Sequence, residues 1–241
     1  MKKLKQYYKK KQDQVEKALK KYLARHRKKS IIAEIMNYST LAGGKRFRPV
    51  LMLAIAEMLG SKAENVLPAA CAVEIIHTFT LVHDDLPSMD NDDFRRGKLT
   101  AHRKYGEAYA ILAGDALQAF AFELMAENTP SEVKPERILK AVSVLARSIG
   151  KDGVAKGQEL DLMNEGKKIS LPKLRNIHLL KTAALIEGAA EVAAILSMAD
   201  KKQIGKIKKY ARHLGLAFQI ADDVLDETGK FEKTGKKPGS D

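Results

Sequence analysis

The most constraining feature of this 241-residue sequence is where its prolines and glycines fall: mostly between long apolar runs rather than within them. Both residues interrupt helices, so this spacing is typical of helices joined by short loops. No run alternates convincingly between polar and apolar residues, so we expect no strand. The pattern predicts helices over residues 3–27, 30–41, 49–59, 66–86, 103–127, 135–149, 153–164, 171–198 and 202–227.

Length and composition predict one all-α domain over residues 1–241. The hydrophobic fraction is 45% and the charged fraction 30%, as in an ordinary globular protein. No apolar stretch approaches the roughly 20 residues that cross a bilayer, and no apolar segment follows the basic N-terminus as in a secretory signal. The single cysteine, Cys71, excludes an internal disulfide and suits a reducing compartment. We therefore expect a cytoplasmic protein without a membrane span.

The net charge of +13 is concentrated at the N-terminus. Residues 1–30 hold 13 Lys/Arg against Asp13 and Glu16, which is +11 of the total. A basic segment could bind acidic lipid or RNA, but Val15 and Leu19 recur at helical spacing. A solvated amphipathic helix is the better interpretation, and we expect no nucleic-acid partner.

The first acidic cluster lies in HDDLPSMDNDDFRRG, where Asp84 and Asp85 close an apolar helix and three more aspartates follow. A helix C-terminus disfavours carboxylates, and packed carboxylates raise each other's pKa unless a cation compensates. Oxygen ligands point to a hard metal, above all Mg²⁺. Taken alone, the cluster could still be an acidic helix end in solvent. The five carboxylates are those of Asp84, Asp85, Asp90, Asp92 and Asp93.

The second acidic cluster ends another apolar helix, in QIADDVLDETG, with Asp222, Asp223 and Asp226. Asp222 and Asp226 are four residues apart and project from one helix face. Clusters from distant segments can face each other across a bundle and share metal ions. Mg²⁺ usually completes its shell with water and phosphate oxygens, so two carboxylate walls imply a phosphorylated ligand between them.

Cations suited to a diphosphate accompany these clusters. Lys45 and Arg48 in GGKRFRP follow two glycines, and Arg95 and Arg96 follow the first acidic cluster. Guanidinium groups bind phosphate oxygens in a bidentate manner. Any one of these residues could be ordinary surface charge, but the set as a whole favours a diphosphate site.

In its motifs the sequence resembles the bacterial farnesyl/geranylgeranyl diphosphate synthases, which are trans-polyprenyl synthetases. The resemblance covers nearly the whole chain. It implies an isoprenoid-synthase-type helical bundle with a central cavity capped by the two aspartate motifs, a Mg²⁺-dependent prenyltransferase with three ions per active site, and a homodimer. It also implies that the chain stops before the family's C-terminal helices. The motifs are GGKRFRP, HDDLPSMDNDDFRRG, AILAGDAL, GQELDL, LLKTAALI and FQIADDVLDETG.

The resemblance also implies roles for single residues. The isopentenyl diphosphate site would comprise Gly44, Lys45, Arg48, His77 and Arg96. Allylic diphosphate contacts would come from Arg95, Lys181, Thr182, Gln219 and Lys236. The metal ligands would be Asp84, Asp90, Asp222 and Asp226. The catalytic set would contain Asp84, Asp85, Asp90, Lys181, Thr182, Asp222 and Asp223. Without the resemblance, His77 would be interpreted as a core histidine, although it lies on nearly the same helix face as Asp84.

Product length should depend on the residues below the first aspartates. Phe79 precedes Asp84 by five residues, about 7.5 Å along the axis, and Thr80 beside it is small. An aromatic residue there, with the DDLPSMD form of the motif, resembles enzymes that stop at the C15 product, although Phe79 could be mere core filler. We therefore expect farnesyl diphosphate, with geranylgeranyl diphosphate as the alternative.

A non-catalytic partner subunit of an active synthase is a second alternative, but such a relative would be expected to lose aspartates or diphosphate cations, and none is lost here. Squalene- and terpene-synthase-like enzymes share helices and acidic motifs. They do not need an isopentenyl site such as the one implied by Lys45, Arg48, His77 and Arg96, and this feature separates them from the elongating enzymes.

Overall fold

The computed structural model describes residues 2–24 and 30–228, with side chains up to residue 225. These residues form an almost entirely helical protein, which confirms the predicted all-α class. A short 3-10 turn, Ala63–Asn65, precedes the fourth helix. The helices are α1 (Lys2–Leu23), α2 (Ile31–Thr40), α3 (Phe47–Met58), α4 (Leu67–Asp84), α5 (Ala101–Tyr105), α6 (Glu107–Asn128), α7 (Pro135–Ile149), α8 (Val154–Leu162), α9 (Leu171–His178), α10 (Ala184–Leu196) and α11 (Lys201–Thr228).

Two predicted helices are interrupted. The helix predicted over 103–127 is split at Gly106, whose φ of 95° is a left-handed value that favours glycine and ends α5 before α6 begins. The helix predicted over 171–198 keeps its course, but a single π-helical turn, Leu179–Ala183 (the π turn), separates α9 from α10. Such insertions carry no periodicity signal that a single sequence would reveal.

The expectation of no strand was wrong at one place. Strands β1 (Phe94–Arg95) and β2 (Lys98–Leu99) pair antiparallel, with Phe94 opposite Leu99. Arg96 and Gly97 between them have φ of 54° and 75°, and two left-handed residues are what a tight two-residue hairpin requires. Two-residue strands are too short for an alternating pattern. The hairpin turns the chain back directly after the first acidic cluster.

Helix α4 lies at the centre of the bundle and packs against α1, α2, α3, α6 and α10. Its residues from Pro68 to Ile76 are all buried, so it has no solvent face there. The alanine-rich helix α10 is also almost wholly buried and lines the core. A Cβ at Gly188 would lie 2.1 Å from Oγ of Ser148 on α7, so glycine lets these two helices approach closely. Together α4 and α10 supply a large part of the hydrophobic core.

Helix α1 is amphipathic as predicted, since Val15 and Leu19 are fully buried against the bundle. Of the described helices, α6 is long and apolar enough to cross a membrane by length and composition alone, a stretch that the sequence analysis did not anticipate. It packs against α4, α2 and α7, and 44% of its most apolar window is buried. Core helices meet the same criterion, so this composition does not by itself indicate a membrane span.

Candidate functional site

The end of α4 presents two adjacent aspartates in different environments. Asp85 is buried and accepts hydrogen bonds from Nε and Nη2 of Arg95, at 2.8 and 2.6 Å. Nη2 of Arg95 also donates to Oδ2 of Asp92 at 2.7 Å. Burial raises the pKa of the Asp85 carboxyl, while the Arg95 charge opposes that shift. The hairpin therefore folds a guanidinium back onto the helix end and anchors Asp85.

Asp84 is half-buried, and none of the described residues donates a hydrogen bond to its side chain. Burial raises the pKa of its carboxyl to about 7, and the neighbouring charge of Asp90 acts in the same direction. The backbone N–H of Asp90 donates to the Asp84 carbonyl at 2.9 Å, which brings Asp90 back beside the helix end. A bound cation beside Asp84 would stabilise the ionised form of its carboxylate.

The π turn carries two predicted site residues, Lys181 and Thr182. Nζ of Lys181 binds Oδ2 of Asp161 on α8 at 2.6 Å. Burial lowers the pKa of Lys181, but the Asp161 contact and the charges of Asp84 and Asp90 outweigh it and raise the pKa. Lys181 thus lies within electrostatic reach of the first acidic cluster. Asp161 belongs to the GQELDL motif, but the sequence analysis gave it no role.

Two glycines allow neighbouring helices to pack directly against the backbone of the π turn. A Cβ at Gly157 of α8 would lie 2.1 Å from the backbone N of Lys181. A Cβ at Gly215 of α11 would lie 2.7 Å from Cα of Ala183. Both helices therefore contact the turn at backbone distance, with no room for a side chain. Insertions of this kind occur often at functional sites, where they re-aim side chains.

The second acidic cluster is tied to the π turn. Oγ1 of Thr182 donates to Oε1 of Gln219, and Nε2 of Gln219 donates to Oδ1 of Asp223 at 2.7 Å. Nε2 of His178 lies 3.3 Å from the other carboxylate oxygen of Asp223. Asp223 is therefore anchored from two sides. His178 lies on α9 outside both acidic motifs, and its role was not predicted from the sequence.

Asp222, next in sequence, again differs from its neighbour. It is half-buried, and its carboxylate receives no hydrogen bond from the described part of the chain. Its charge acts on the guanidinium of Arg48, which places the second cluster close to the GGKRFRP segment. The side chain of Asp226 and all of Lys236 lie outside the described residues, so their predicted roles stay predictions.

Three predicted cationic-site residues lie together beneath the clusters. Burial lowers the pKa of Arg48, and its Nε is buried without a partner among the described residues. Burial also lowers the pKa of Arg96, which Glu74 partly offsets from 3.8 Å. Burial together with the charges of Arg48 and Arg96 lowers the pKa of His77 well below its ordinary value. Crowded, desolvated guanidinium groups favour an anionic ligand.

The glycine loop, residues 43–46, joins this cationic group to α11. Phe47 stacks on Phe218 with ring centroids 5.1 Å apart, and Nζ of Lys45 lies 5.8 Å from the Phe218 ring centroid. Gly44 has a φ of 134°, and a Cβ there would lie 2.8 Å from Cζ of Arg96. A side chain at this position would displace the Arg96 guanidinium from the loop, and the positive φ also favours glycine.

Phe79 lies on α4 five residues before Asp84, about 1.4 turns of the helix away. Its ring packs edge-on against His83, with centroids 5.0 Å apart. His83 in turn abuts α6, where a Cβ at Gly114 would lie 2.1 Å from the His83 Nε2. Thr80 donates through Oγ1 to the backbone carbonyl of His77 at 2.9 Å. The His83 ring therefore lies between Phe79 and α6.

Comparison with known proteins decides the family. The polyprenyl synthetase family model matches residues 29–241. The chain belongs to the polyprenyl synthetase family. A farnesyl diphosphate synthase from Geobacillus stearothermophilus is 46% identical over 227 residues, which cover 94% of this chain and 76% of that protein. A heterodimeric geranylgeranyl pyrophosphate synthase large subunit from Arabidopsis thaliana chloroplasts is 50% identical over 214 residues.

The match to the Arabidopsis polyprenyl synthetase covers 87% of this chain but 58% of that relative, so the chain spans less than three fifths of its length. Among solved structures, an FPP/GFPP synthase from Zymomonas mobilis superposes with a TM-score of 0.85 at 39% identity. That superposition covers 92% of this chain and 82% of the other. The predicted isoprenoid-synthase helical fold is confirmed.

The donor set of this polyprenyl synthetase fits a hard divalent cation that shares its shell with a ligand. Within residues 2–24 and 30–228, no three His, Cys, Asp or Glu side chains converge closely enough to hold a metal alone. Asp84 and Asp222 nevertheless offer carboxylate oxygens that no described hydrogen bond occupies. Mg²⁺ commonly takes one or two carboxylates and completes its shell with water and phosphate oxygens, which is the arrangement these residues allow.

Proposed function

We propose that the chain is a trans-prenyltransferase that condenses isopentenyl diphosphate head-to-tail with an allylic diphosphate in a Mg²⁺-dependent reaction. The observation that carries the proposal is the pairing of two acidic clusters, each with a carboxylate free of described hydrogen bonds, around crowded cationic groups. Lys181 is coupled to the first cluster, and Arg48 is coupled to Asp222 of the second. The names of the relatives, farnesyl diphosphate and geranylgeranyl pyrophosphate synthase, support the same reaction.

In this proposal the allylic diphosphate lies between the acidic clusters. Bound Mg²⁺ would neutralise the charge that develops on the departing diphosphate. The metal would be held by Asp84, Asp90, Asp222 and Asp226, and the diphosphate contacted by Arg95, Lys181, Thr182, Gln219 and Lys236. The isopentenyl diphosphate would bind the site formed by Gly44, Lys45, Arg48, His77 and Arg96.

The reaction itself needs no nucleophilic side chain. The allylic C–O bond breaks, and its electron pair leaves with the diphosphate. The isopentenyl double bond then attacks the allylic carbocation, and a proton is lost from the resulting cation. The departing diphosphate, or a hydroxyl or carbonyl oxygen near Thr182, accepts that proton. Preorganised positive charge around the leaving group makes the largest contribution to the rate enhancement. The apolar side chains of α4 and α10 keep water away from the carbocation.

For the product we propose the C15 compound, farnesyl diphosphate, because Phe79 lies about 7.5 Å along the axis of α4 before Asp84 and its ring packs against His83. Phe79→Leu should shift the distribution slightly toward C20, and Phe79→Ala should make longer products dominant, because each opens more of the cavity floor. Chromatography of the products is the measurement. An unchanged distribution in Phe79→Ala would remove Phe79 from this role, and a C20 product from wild type would favour a geranylgeranyl diphosphate synthase.

We propose a second copy of the chain as the protein partner, and a cytoplasmic location. Helices α6 and α7 pack together and leave large apolar side chains in solvent: Leu112 is 48% exposed and Leu139 is 72% exposed. A homodimer would cover such side chains. Sedimentation that finds only monomer would contradict the homodimer. The Arabidopsis relative is named as a heterodimer subunit, so a partner of different sequence is the alternative.

The test of the function is an incubation of the chain with Mg²⁺, labelled isopentenyl diphosphate and each of the C5, C10 and C15 allylic diphosphates. We expect a C15 product from the C5 and C10 substrates, and far less product from Asp84→Asn in the same time. A chain that binds both substrates but forms no product would contradict the enzymatic proposal and favour a non-catalytic partner subunit.

A further inference from the structure

A stripe of three polar residues on α1 contacts the glycine loop. Tyr8, Gln12 and Glu16 are each four residues apart, so they share one face of the helix. The Tyr8 hydroxyl donates to the Lys45 carbonyl at 2.6 Å, and Nε2 of Gln12 donates to the Gly44 carbonyl at 2.9 Å. Glu16 accepts from Nε of Arg46 at 2.7 Å. Three successive residues of the loop are therefore bound by one helix face.

The loop needs such support because its backbone is unusual. Gly43, Gly44 and Arg46 have φ of 90°, 134° and 52°, all on the left-handed side. Arg46 is not glycine, and a residue held in that region persists only when its surroundings fix it. The carbonyls of residues 43, 44 and 45 all accept side-chain hydrogen bonds, from Arg96, Gln12 and Tyr8 respectively.

Arg46 extends the contact from α1 into the core. Its side chain is fully buried and binds Glu16 of α1, Glu74 of α4 and the Thr40 carbonyl. Glu74 also faces Arg96, at 3.8 Å. A buried guanidinium with two carboxylates fixes the relative position of the elements that carry them, because breaking either pair leaves a buried charge unpaired. Helix α1, the glycine loop and α4 are thereby joined.

We propose that α1 is a positioning element for the isopentenyl diphosphate site: Tyr8 and Gln12 hold the loop backbone so that Lys45 and Arg48 are in place before substrate binds. This inference rests on the proposed function. The stripe lies outside residues 29–241, the segment that the family model matches. Preorganisation of this kind lowers the entropy lost when the ligand binds, so its loss weakens binding of that ligand in particular.

The test compares matched substitutions on α1. Tyr8→Phe removes only the hydroxyl that binds Lys45, whereas Tyr7→Phe removes a hydroxyl that binds Glu57 instead, at 2.6 Å. Gln12→Leu removes the bond to Gly44 with little change of volume. Gln14→Leu makes the same change at a half-buried position without a described bond to the loop. For each variant, calorimetry gives the dissociation constant of isopentenyl diphosphate, steady-state kinetics give KM for both substrates, and thermal melts give Tm.

We expect Tyr8→Phe and Gln12→Leu each to weaken isopentenyl diphosphate binding roughly 3- to 10-fold, the effect of one hydrogen bond. Both controls should stay within about twofold, and KM for the allylic substrate should not change in any variant. Equal dissociation constants of isopentenyl diphosphate for Tyr8→Phe and Tyr7→Phe would overturn the positioning role. Changes in that constant that only follow the change in Tm would overturn it as well. Wild type that binds isopentenyl diphosphate without turnover would overturn the proposed function alone, because the binding comparison would still test α1. Wild type that does not bind it would overturn both.

Discussion

The two acidic clusters differ in sequence but share one arrangement. At the end of α4, Asp85 is anchored by Arg95 while Asp84 receives no hydrogen bond from a described residue. Near the end of α11, Asp223 is anchored by Gln219 and His178 while Asp222 is likewise without one. In each adjacent pair, one carboxylate has protein partners, and the other, which receives no hydrogen bond from a described residue, is the one we propose as a metal ligand.

The two anchored aspartates, Asp85 and Asp223, are held by elements that lie at different distances along the sequence. The first cluster uses a guanidinium delivered by the hairpin directly after it, so its support is local in sequence. The second uses the π turn and α9, about 40 residues upstream, and depends on two interhelical glycine contacts. We expect the first cluster to tolerate changes in the rest of the bundle better than the second.

The largest effects should come from the two carboxylates without described partners. Asp84→Asn and Asp222→Asn should each lower kcat by roughly 10²–10³-fold or more, because each removes charge where leaving-group charge develops. Steady-state prenyl transfer at fixed Mg²⁺ is the measurement. Asp152→Asn, which breaks only an exposed pair with Lys151, is the control and should leave kcat unchanged. If either variant behaves like the control, its cluster is not a ligand site.

Intermediate effects should come from the anchored carboxylates. Asp85→Asn and Asp223→Asn should cost about 10- to 100-fold in activity, because they orient neighbouring groups rather than contact the metal. Raising Mg²⁺ should restore part of the loss. Rates that fall as far as those of Asp84→Asn and Asp222→Asn, with no response to Mg²⁺, would erase the distinction within each pair.

A stability effect should mark the dependence of the second cluster on the π turn. Gly157→Ala would press a methyl group against the Lys181 backbone and should cost about 1–3 kcal/mol in free energy of unfolding. Gly205→Ala on α11 meets no atom within 4 Å and should stabilise by about 0.5–1 kcal/mol. Denaturant titrations measure the free energy of unfolding of both variants and of wild type. Equal stabilities would mean that the π turn is not constrained by α8.

The acidic clusters and the cations could be predicted from the sequence. Several carboxylates at the end of an apolar helix are unfavourable without a compensating positive charge, and this pattern is visible in the order of the residues. The anchors could not be predicted in this way. Asp161, His178 and Glu74 meet their partners only through tertiary packing, and no motif spacing links them to those partners. Similarly, the basic residues of α1 predict a charged, solvent-exposed helix. The hydrogen bonds from its polar stripe to the glycine loop depend on the tertiary structure and could not be predicted from the sequence.

The most direct test of the account is Mn²⁺ binding, followed by electron paramagnetic resonance with and without inorganic pyrophosphate. We predict that pyrophosphate raises the number of Mn²⁺ ions bound to wild type, that Asp84→Asn and Asp222→Asn each lose part of that gain, and that Asp85→Asn keeps it. The same number of bound ions in all four proteins, with or without pyrophosphate, would contradict a shared metal and diphosphate site between the two clusters.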